Sequence, residues 1–234
     1  MPASSFYLQQ KIANAHPTIQ GVIISFLLFM AAVFSGKIFS FFGLPFGTKE
    51  DSLFYSRIIL WTWFLFLSLY VIKIEKQKLI LGAQKKYSVP FYILSIIALL
   101  ISIILISTIL AKIESIFGLN DNSKRLGEII SIFQNNKPLL LFTILTAAIL
   151  EELYFRAYLV SRLEILLKSP VLAVVISSVL FSIAHIGFGN AAQMINTGFI
   201  GIISAWYFVK YRNIKVLIVT HFLIDLIGVY SKFK

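Results

Sequence analysis

Three polar groups interrupt long apolar stretches in the C-terminal half of the chain, and the first of them is acidic. Glu151 and Glu152 follow an apolar run, and Arg156 comes four residues after Glu152. A charge held in the middle of a membrane costs at least about 2.5–3.5 kcal/mol, so such residues are candidates for function. Glu152 and Arg156 share a helix face and can pair, whereas Glu151 points about 100° away from Glu152. Glu151 is therefore free to face a cavity and to act as a general base.

The other two groups supply histidines and one more acid. His185 ends an apolar block, and His221 and Asp225 lie four residues apart inside another block. Side chains four residues apart share a helix face, so both can enter one cavity. Peptide hydrolysis needs a base, a positioned water and donors for the oxyanion. Each group taken alone also fits a structural role: a solvated helix end for the acids, a satisfied structural histidine for His185, or a structural hydrogen bond between His221 and Asp225.

The same side chains can instead be metal ligands. Glu, Asp and two His are adequate ligands for zinc, and an open zinc site activates water. The chain has no Cys, which excludes a Cys nucleophile, thiolate ligands and disulfides. It also lacks an H-E-x-x-H pair of ligands on one helix. We therefore expect no cofactor, with zinc as the alternative.

Long apolar blocks must position these groups. Of the 234 residues, 59% are hydrophobic and 13% are charged, against about 45–50% and about 25% in a soluble domain. A bilayer core about 30 Å thick needs about 20 helical residues. Seven blocks have or approach that length: Ile19–Phe42, Phe54–Ile74, Pro90–Ile113, Pro138–Val160, Val171–Ile186, Ala191–Val209 and Ile214–Tyr230. The sequence thus predicts one all-α domain over residues 1–234, a multi-pass membrane bundle of about seven transmembrane helices.

The net charge of +11 fits a membrane protein better than a protein that binds nucleic acid. Lys and Arg lie at the ends of the apolar blocks, where they contact lipid head groups. We therefore expect the lipid bilayer as a partner and no nucleic acid. With seven spans, the loops on the N-terminal side carry the larger share of Lys and Arg, above all the five lysines from Lys73 to Lys86. The positive-inside rule then places the N-terminus in the cytoplasm.

Two further segments carry weaker patterns. An apolar stripe with i, i+3, i+4, i+7 spacing runs through residues 122–136, formed by Leu126, Ile129, Ile130 and Phe133. It is typical of a short helix in the membrane interface or of an amphipathic connector. Gln193 and Asn196 are three residues apart, on one face near the start of the sixth block. Contact with a substrate and hydrogen bonding between helices explain these two amides equally well.

The three polar groups in their chain order, E-E-x-x-x-R, F-x-x-x-H and H-x-x-x-N/D, resemble the motifs of the CPBP (Abi) family. That family includes the type II CAAX prenyl endopeptidases and many bacterial proteins linked to bacteriocin processing and immunity. The motifs begin here at Glu151, Phe181 and His221, and the resemblance covers about residues 138–230. Residues 1–137 would then be variable N-terminal spans and the amphipathic connector. Asp225 stands where the prenyl endopeptidases usually have Asn.

The resemblance implies a glutamate-type intramembrane endopeptidase in which Glu151 activates water and His185 positions it. His221 and Asp225 would form the oxyanion site. An ionised Asp cannot donate a hydrogen bond, so we expect Asp225 to orient His221. The supporting residues would be Glu152 and Arg156. The implied substrate is a membrane-anchored peptide or protein, and the implied location is a bacterial plasma membrane.

Two other classes of function stay open. A non-catalytic membrane partner, such as an immunity factor, has no need to hold Glu151, His185 and His221 in the bilayer, and it would keep its biological activity with Glu151→Gln. A small transporter or proton relay also uses intramembrane Glu, His and Asp. It would show substrate-dependent flux in liposomes.

Overall fold

Apolar helices make up nearly all of the computed structural model, which describes residues 15–43, 47–82, 85–117, 124–188 and 191–233. No strand occurs in these ranges. Apart from a single 3-10 turn at Ile186–Phe188, the helices found there are, in chain order, α1 (Ala15–Val33), α2 (Ser35–Phe41), α3 (Lys49–Glu75), α4 (Val89–Ile116), α5 (Lys124–Asn135), α6 (Lys137–Leu167), α7 (Pro170–Ala184), α8 (Ala191–Tyr211) and α9 (Ile214–Tyr230). The all-α bundle predicted from the sequence is confirmed.

Within the described residues, five helices are long and apolar enough to cross a membrane, namely α1, α3, α4, α6 and α8. Helix α7 has 15 residues and α9 has 17. The chain is an integral membrane protein, and seven crossings stay a prediction. The first apolar block is not one helix, because α1 ends at Val33 and α2 begins at Ser35. Ser35 and Gly36 are weaker helix formers than the apolar residues of α1, which favours a break at this point.

Side-chain caps set where the helices of the C-terminal half begin. Asn136, Ser169 and Asn213 each accept a hydrogen bond from the backbone N–H three residues ahead, at the starts of α6, α7 and α9. A cap of this kind contributes about 1 kcal/mol. Arg212 and Asn213 alone separate α8 from α9, and Arg212 has a left-handed φ of 53°. The chain therefore turns sharply here, and α9 packs against α4 and α6.

The middle of α6 is deeply buried. Its turns are π-helical from Glu152 to Val160, and eight of these nine side chains are buried. Phe29 of α1 and Trp63 of α3 pack on Tyr154, with ring centroids 5.2 Å and 4.9 Å from the tyrosine ring. The N-terminal helices therefore pack directly on the helix that carries the first polar group. The predicted boundary between residues 1–137 and 138–230 stays a prediction.

Two buried ion pairs involve the C-terminal part of α6. Arg162 lies 2.9 Å from Glu75 at the end of α3, and both side chains are 0% exposed. The guanidinium of Arg162 also donates to two backbone carbonyls of the segment after α3. The hydroxyl of Tyr158 donates to the same Glu75 carboxylate at 2.9 Å. The second pair joins Arg212 to Glu164. The contacts of Glu75 with Tyr158 and Arg162, called the Glu75 cluster below, therefore join α3 to α6.

The amphipathic segment predicted over residues 122–136 is helical from Lys124 to Asn135, and its first two residues lie outside the described ranges. Phe133 is 4% exposed and packs with Leu139 and Leu140 of α6. The apolar stripe of α5 therefore faces the bundle.

Candidate active site

The π-helical turns of α6 begin between the two adjacent acids. Glu152 is 2% exposed, and its Oε1 lies 3.2 Å from Nη1 of Arg156, which is 1% exposed. Glu151 is 16% exposed and lines a cavity. Neither Glu152 nor Arg156 lies at a solvated helix end. The two acids have the separate surroundings expected from their angular offset, and π-helical turns often occur at functional sites.

His185 stands at the C-terminal end of α7. Its Nδ1 lies 2.8 Å from the backbone carbonyl oxygen of Phe181. A carbonyl oxygen only accepts hydrogen bonds, so Nδ1 carries the proton and donates. In the neutral ring the lone pair is then on Nε2, which lies 3.9 Å from Oε2 of Glu151. The spacing F-x-x-x-H thus places the residue that orients the ring four positions before the histidine.

His221, on α9, lies between carboxylates. Its Nδ1 is 2.9 Å from Oε1 of Glu152, and its Nε2 is 3.5 Å from Oδ2 of Asp225. The same Nε2 is 4.0 Å from Oε2 of Glu151. A carboxylate therefore lies near each ring nitrogen, and an ionised carboxylate only accepts hydrogen bonds. A protonated His221 directs an N–H from Nε2 toward Asp225 and Glu151.

One cavity of about 410 Å³ connects these groups. Its lining includes all four residues expected to take part in catalysis, namely Glu151, His185, His221 and Asp225. Glu152 lines it as well, whereas Arg156 does not and stands behind Glu152. The apolar stripe of α5 forms part of the wall through Leu126, Ile129, Ile130 and Phe133. The structure therefore brings together on α6, α7 and α9 the polar groups that are separated along the chain.

A family model described as Rce1-like, type II CAAX prenyl endopeptidase Rce1-like, matches residues 133–227. The resemblance to the CPBP family is confirmed. The matched segment, called the CAAX-protease core below, runs from the end of α5 to Ile227 in α9. Neither the curated proteins nor the solved structures contain a match to this chain. The chain is therefore an integral membrane protein whose residues 133–227 are similar to a family of CAAX-type intramembrane proteases.

Two cationic residues in the cavity wall were not among the predicted site residues. Arg57 lies within α3, outside the CAAX-protease core, and Lys232 follows α9. From the sequence alone, each is a single charge near the end of an apolar block. One feature of the sequence could have identified Arg57 as a candidate: a long apolar run follows it within the same block. Its place in the wall depends on how α3 packs against the core.

The acids and histidines of the CAAX-protease core are side-chain types that can also bind zinc. Ligands of a tetrahedral zinc lie about 2.0–2.2 Å from the metal, and hence roughly 3.3 Å from one another. Glu151 Oε2 is 3.9 Å from Nε2 of His185 and 4.0 Å from Nε2 of His221. Across the residues that the structure describes, no three His, Asp or Glu side chains stand close enough to hold a metal ion. No step below is assigned to a metal, and zinc stays the alternative that chelation tests.

Proposed function

We propose that the chain hydrolyses a peptide bond in a membrane-anchored peptide or protein, using a water activated by Glu151. The observation that carries this proposal is the position of Glu151 Oε2, 3.9 Å from His185 Nε2 and 4.0 Å from His221 Nε2. These separations exceed a direct hydrogen bond but fit groups bridged by one small molecule such as water. The cavity around them supplies room for a peptide segment.

Glu151 is the proposed general base. The neutral His185 ring accepts one hydrogen of the water at Nε2, and the Glu151 carboxylate takes the other hydrogen as a proton. The water oxygen then forms a bond to the carbonyl carbon of the peptide, and the carbonyl oxygen becomes an oxyanion. On collapse of this intermediate the C–N bond breaks, and Glu151 returns its proton to the amine that leaves. The products are a carboxylic acid and an amine, and no oxidant or cofactor takes part.

His221 is the proposed donor to the oxyanion. Its Nδ1–H donates to Glu152, which is paired with Arg156, so the imidazole is fixed on the side away from the proposed water. Asp225 lies on the other side, where its carboxylate accepts weakly from Nε2–H at 3.5 Å and orients the ring, and the same N–H is shared with the oxyanion. A preorganised donor that meets the developing charge contributes about 2.7–4 kcal/mol to catalysis. Glu152 and Arg156 thus act through His221.

The surroundings of the cavity support the substrate class. Side chains from α1, α3, α5 and α9 add apolar wall to the polar centre, and the chain is embedded in a membrane. A membrane-anchored substrate meets both conditions, because its anchor stays in the lipid while a peptide segment enters the cavity. Prenylated C-termini, bacteriocin leaders and anchored membrane proteins all belong to this class.

We also propose that the N-terminus faces the cytoplasm of a bacterial cell. Three arginines near the C-terminal ends of the fourth and sixth apolar blocks would lie on that side, but they are buried and paired with acids, namely Arg156, Arg162 and Arg212. They therefore do not meet lipid head groups. The positive-inside argument then depends mainly on the lysines from Lys73 to Lys86, the longest basic cluster of the chain.

The decisive experiment compares the wild type with Glu151→Gln and His185→Ala on a library of membrane-anchored peptides, with products read by mass spectrometry. Glu128→Gln is a matched control, because it makes the same change at an exposed acid of α5. We expect cleavage by the wild type and by Glu128→Gln, with or without a strong chelator. Cleavage lost on chelation and restored by zinc would replace the Glu151 mechanism with a metal mechanism. Biological activity that survives Glu151→Gln would instead favour the non-catalytic membrane partner.

A further inference from the structure

Two amide side chains of α8 line the cavity and have no part in the mechanism above. Gln193 and Asn196 form part of the same wall as the catalytic candidates. The neighbouring Thr197 differs from them, because its hydroxyl donates to the backbone carbonyls of Gln193 and Met194 within its own helix. The amides of Gln193 and Asn196 are therefore candidates for contact with a ligand in the cavity.

Asn196 is held by a helix outside the CAAX-protease core. The hydroxyl of Ser107, on α4, donates to Oδ1 of Asn196 at 2.8 Å. This bond occupies the carbonyl end of the amide. The other end, Nδ2, carries two N–H donors. Because Asn196 also lines the cavity, the bond from Ser107 leaves the donor end of the amide for a ligand in that cavity.

A peptide in this cavity needs donors for its backbone carbonyl oxygens, which lose their bonds to water on binding. An unpaired carbonyl in a buried site is costly. Three of the polar residues in the wall, Glu151, Glu152 and Asp225, only accept hydrogen bonds when ionised. A neutral His185 uses its single N–H on Phe181. A neutral amide donor on α8 is therefore complementary to a peptide backbone.

We propose that Asn196 binds the substrate, donating from Nδ2 to a backbone carbonyl oxygen beside the scissile bond, and that Ser107 is the positioning residue that turns the amide. This inference rests on the proposed function and deepens it. The group recognised is the main chain of the peptide, so the contact does not depend on the side chains of the substrate. Residues of α4 thereby contribute to substrate binding although they lie outside residues 133–227.

The test measures KM and kcat on a palmitoylated peptide with a fluorophore and a quencher on either side of the bond that the wild type cleaves. Loss of one neutral hydrogen bond weakens binding about three- to tenfold. We expect Asn196→Ala to raise KM by that factor with kcat nearly unchanged, because the bond is present in the bound substrate and in the transition state alike. Asn196→Asp, which has the same shape and no amide donor, should raise KM at least as much.

Ser107→Ala supplies the second part of the test. It should raise KM by a smaller factor, roughly twofold, because the Asn196 amide stays but is free to turn. The double variant should match Asn196→Ala alone, since the hydroxyl acts only through the amide. Ser102→Ala is the matched control on the same helix. Its hydroxyl is exposed and donates to the carbonyl of Ala98 within α4, so KM should not change.

An unchanged KM in Asn196→Ala overturns the proposal, and so does an additive effect in the double variant. A purely structural role for the Ser107–Asn196 bond would lower the thermal midpoint of both single variants and leave KM of the folded protein at the wild-type value. Either result leaves the proposed function intact, provided that the wild type cleaves the peptide and Glu151→Gln does not. Absence of cleavage by the wild type on every peptide tested would remove both proposals.

Discussion

Glu152 and His221, 69 residues apart in the chain, share a hydrogen bond of 2.9 Å between Oε1 and Nδ1. The bond joins α6 to α9, and thus the first polar group of the sequence to the third. Arg156 pairs with the same carboxylate from the side away from the cavity. A series of polar contacts from Arg156 through Glu152 to His221 therefore leads from the buried core to the proposed catalytic water. His221 faces Glu151.

Replacing Glu152, which lies between Arg156 and His221 in this series, should impair catalysis more than substrate binding. In Glu152→Gln the side chain keeps its size but loses the charge that holds Nδ1–H and stabilises the imidazolium. We expect kcat to fall about 10²-fold, the scale of losing one oxyanion donor, with a small change in KM. The measurement is steady-state cleavage by folded, purified protein. Glu128→Gln should behave as wild type, and a kcat of Glu152→Gln within threefold of wild type would show that His221 does not depend on this bond.

Asp225 offers a test of whether its ability to accept a hydrogen bond or its charge orients His221. If it acts by orienting His221, an amide carbonyl at the same position can still accept from Nε2–H at a similar distance. Asp225→Asn should therefore keep kcat within about threefold of wild type, whereas Asp225→Leu, which has no acceptor, should lose about 10²-fold. Equal loss in both variants would mean that the charge of Asp225, and not its ability to accept, is required.

The Glu75 cluster should be essential for stability and not for chemistry. Glu75→Gln leaves Arg162 buried without its counter-charge, and breaking a buried pair costs about 3–5 kcal/mol. Glu50→Gln is a control at an exposed acid of the same helix, where a surface contact contributes about 0–1 kcal/mol. We expect Glu75→Gln to have a clearly lower unfolding midpoint than the wild type in detergent. The midpoint of Glu50→Gln should be nearly unchanged. Equal midpoints would contradict the assignment.

The absence of Cys makes membrane orientation directly measurable, because any introduced cysteine is the single thiol of the chain. Lys49 precedes the apolar part of α3 and Lys76 follows it. With the N-terminus in the cytoplasm, a membrane-impermeant maleimide on intact cells should label Lys49→Cys and not Lys76→Cys. Permeabilised cells should allow labelling of both. The reverse pattern on intact cells would place the N-terminus outside and overturn the proposed orientation.

The helical membrane bundle could be predicted from the sequence because apolar blocks near 20 residues long have few other stable structures in lipid. The block limits agree with the helices over most of the chain. The exceptions are the fourth block, whose helix continues past Val160 to Leu167, and the first block, which divides between Val33 and Ser35. A pattern of hydropathy does not register such a break, because both sides of it are apolar.

The surroundings of the individual acids were only partly predictable. The four-residue spacing of Glu152 and Arg156 predicts their pairing on one helix face, and the structure has it at 3.2 Å. Nothing in that spacing indicates that Glu152 also bonds to His221. That contact joins two helices, and local periodicity describes one helix at a time.

The polar groups, their helices and the family resemblance could be predicted from the sequence, because they depend on residue types and on spacing within one helix. Tertiary structure alone decided that Ser107 on α4 reaches Asn196 on α8 at 2.8 Å, and that Glu75 meets Arg162 87 residues later in the chain. The same holds for the α5 stripe in the cavity wall. Such contacts depend on how helices rotate and pack against one another, and that geometry is set by all the side chains of the core together.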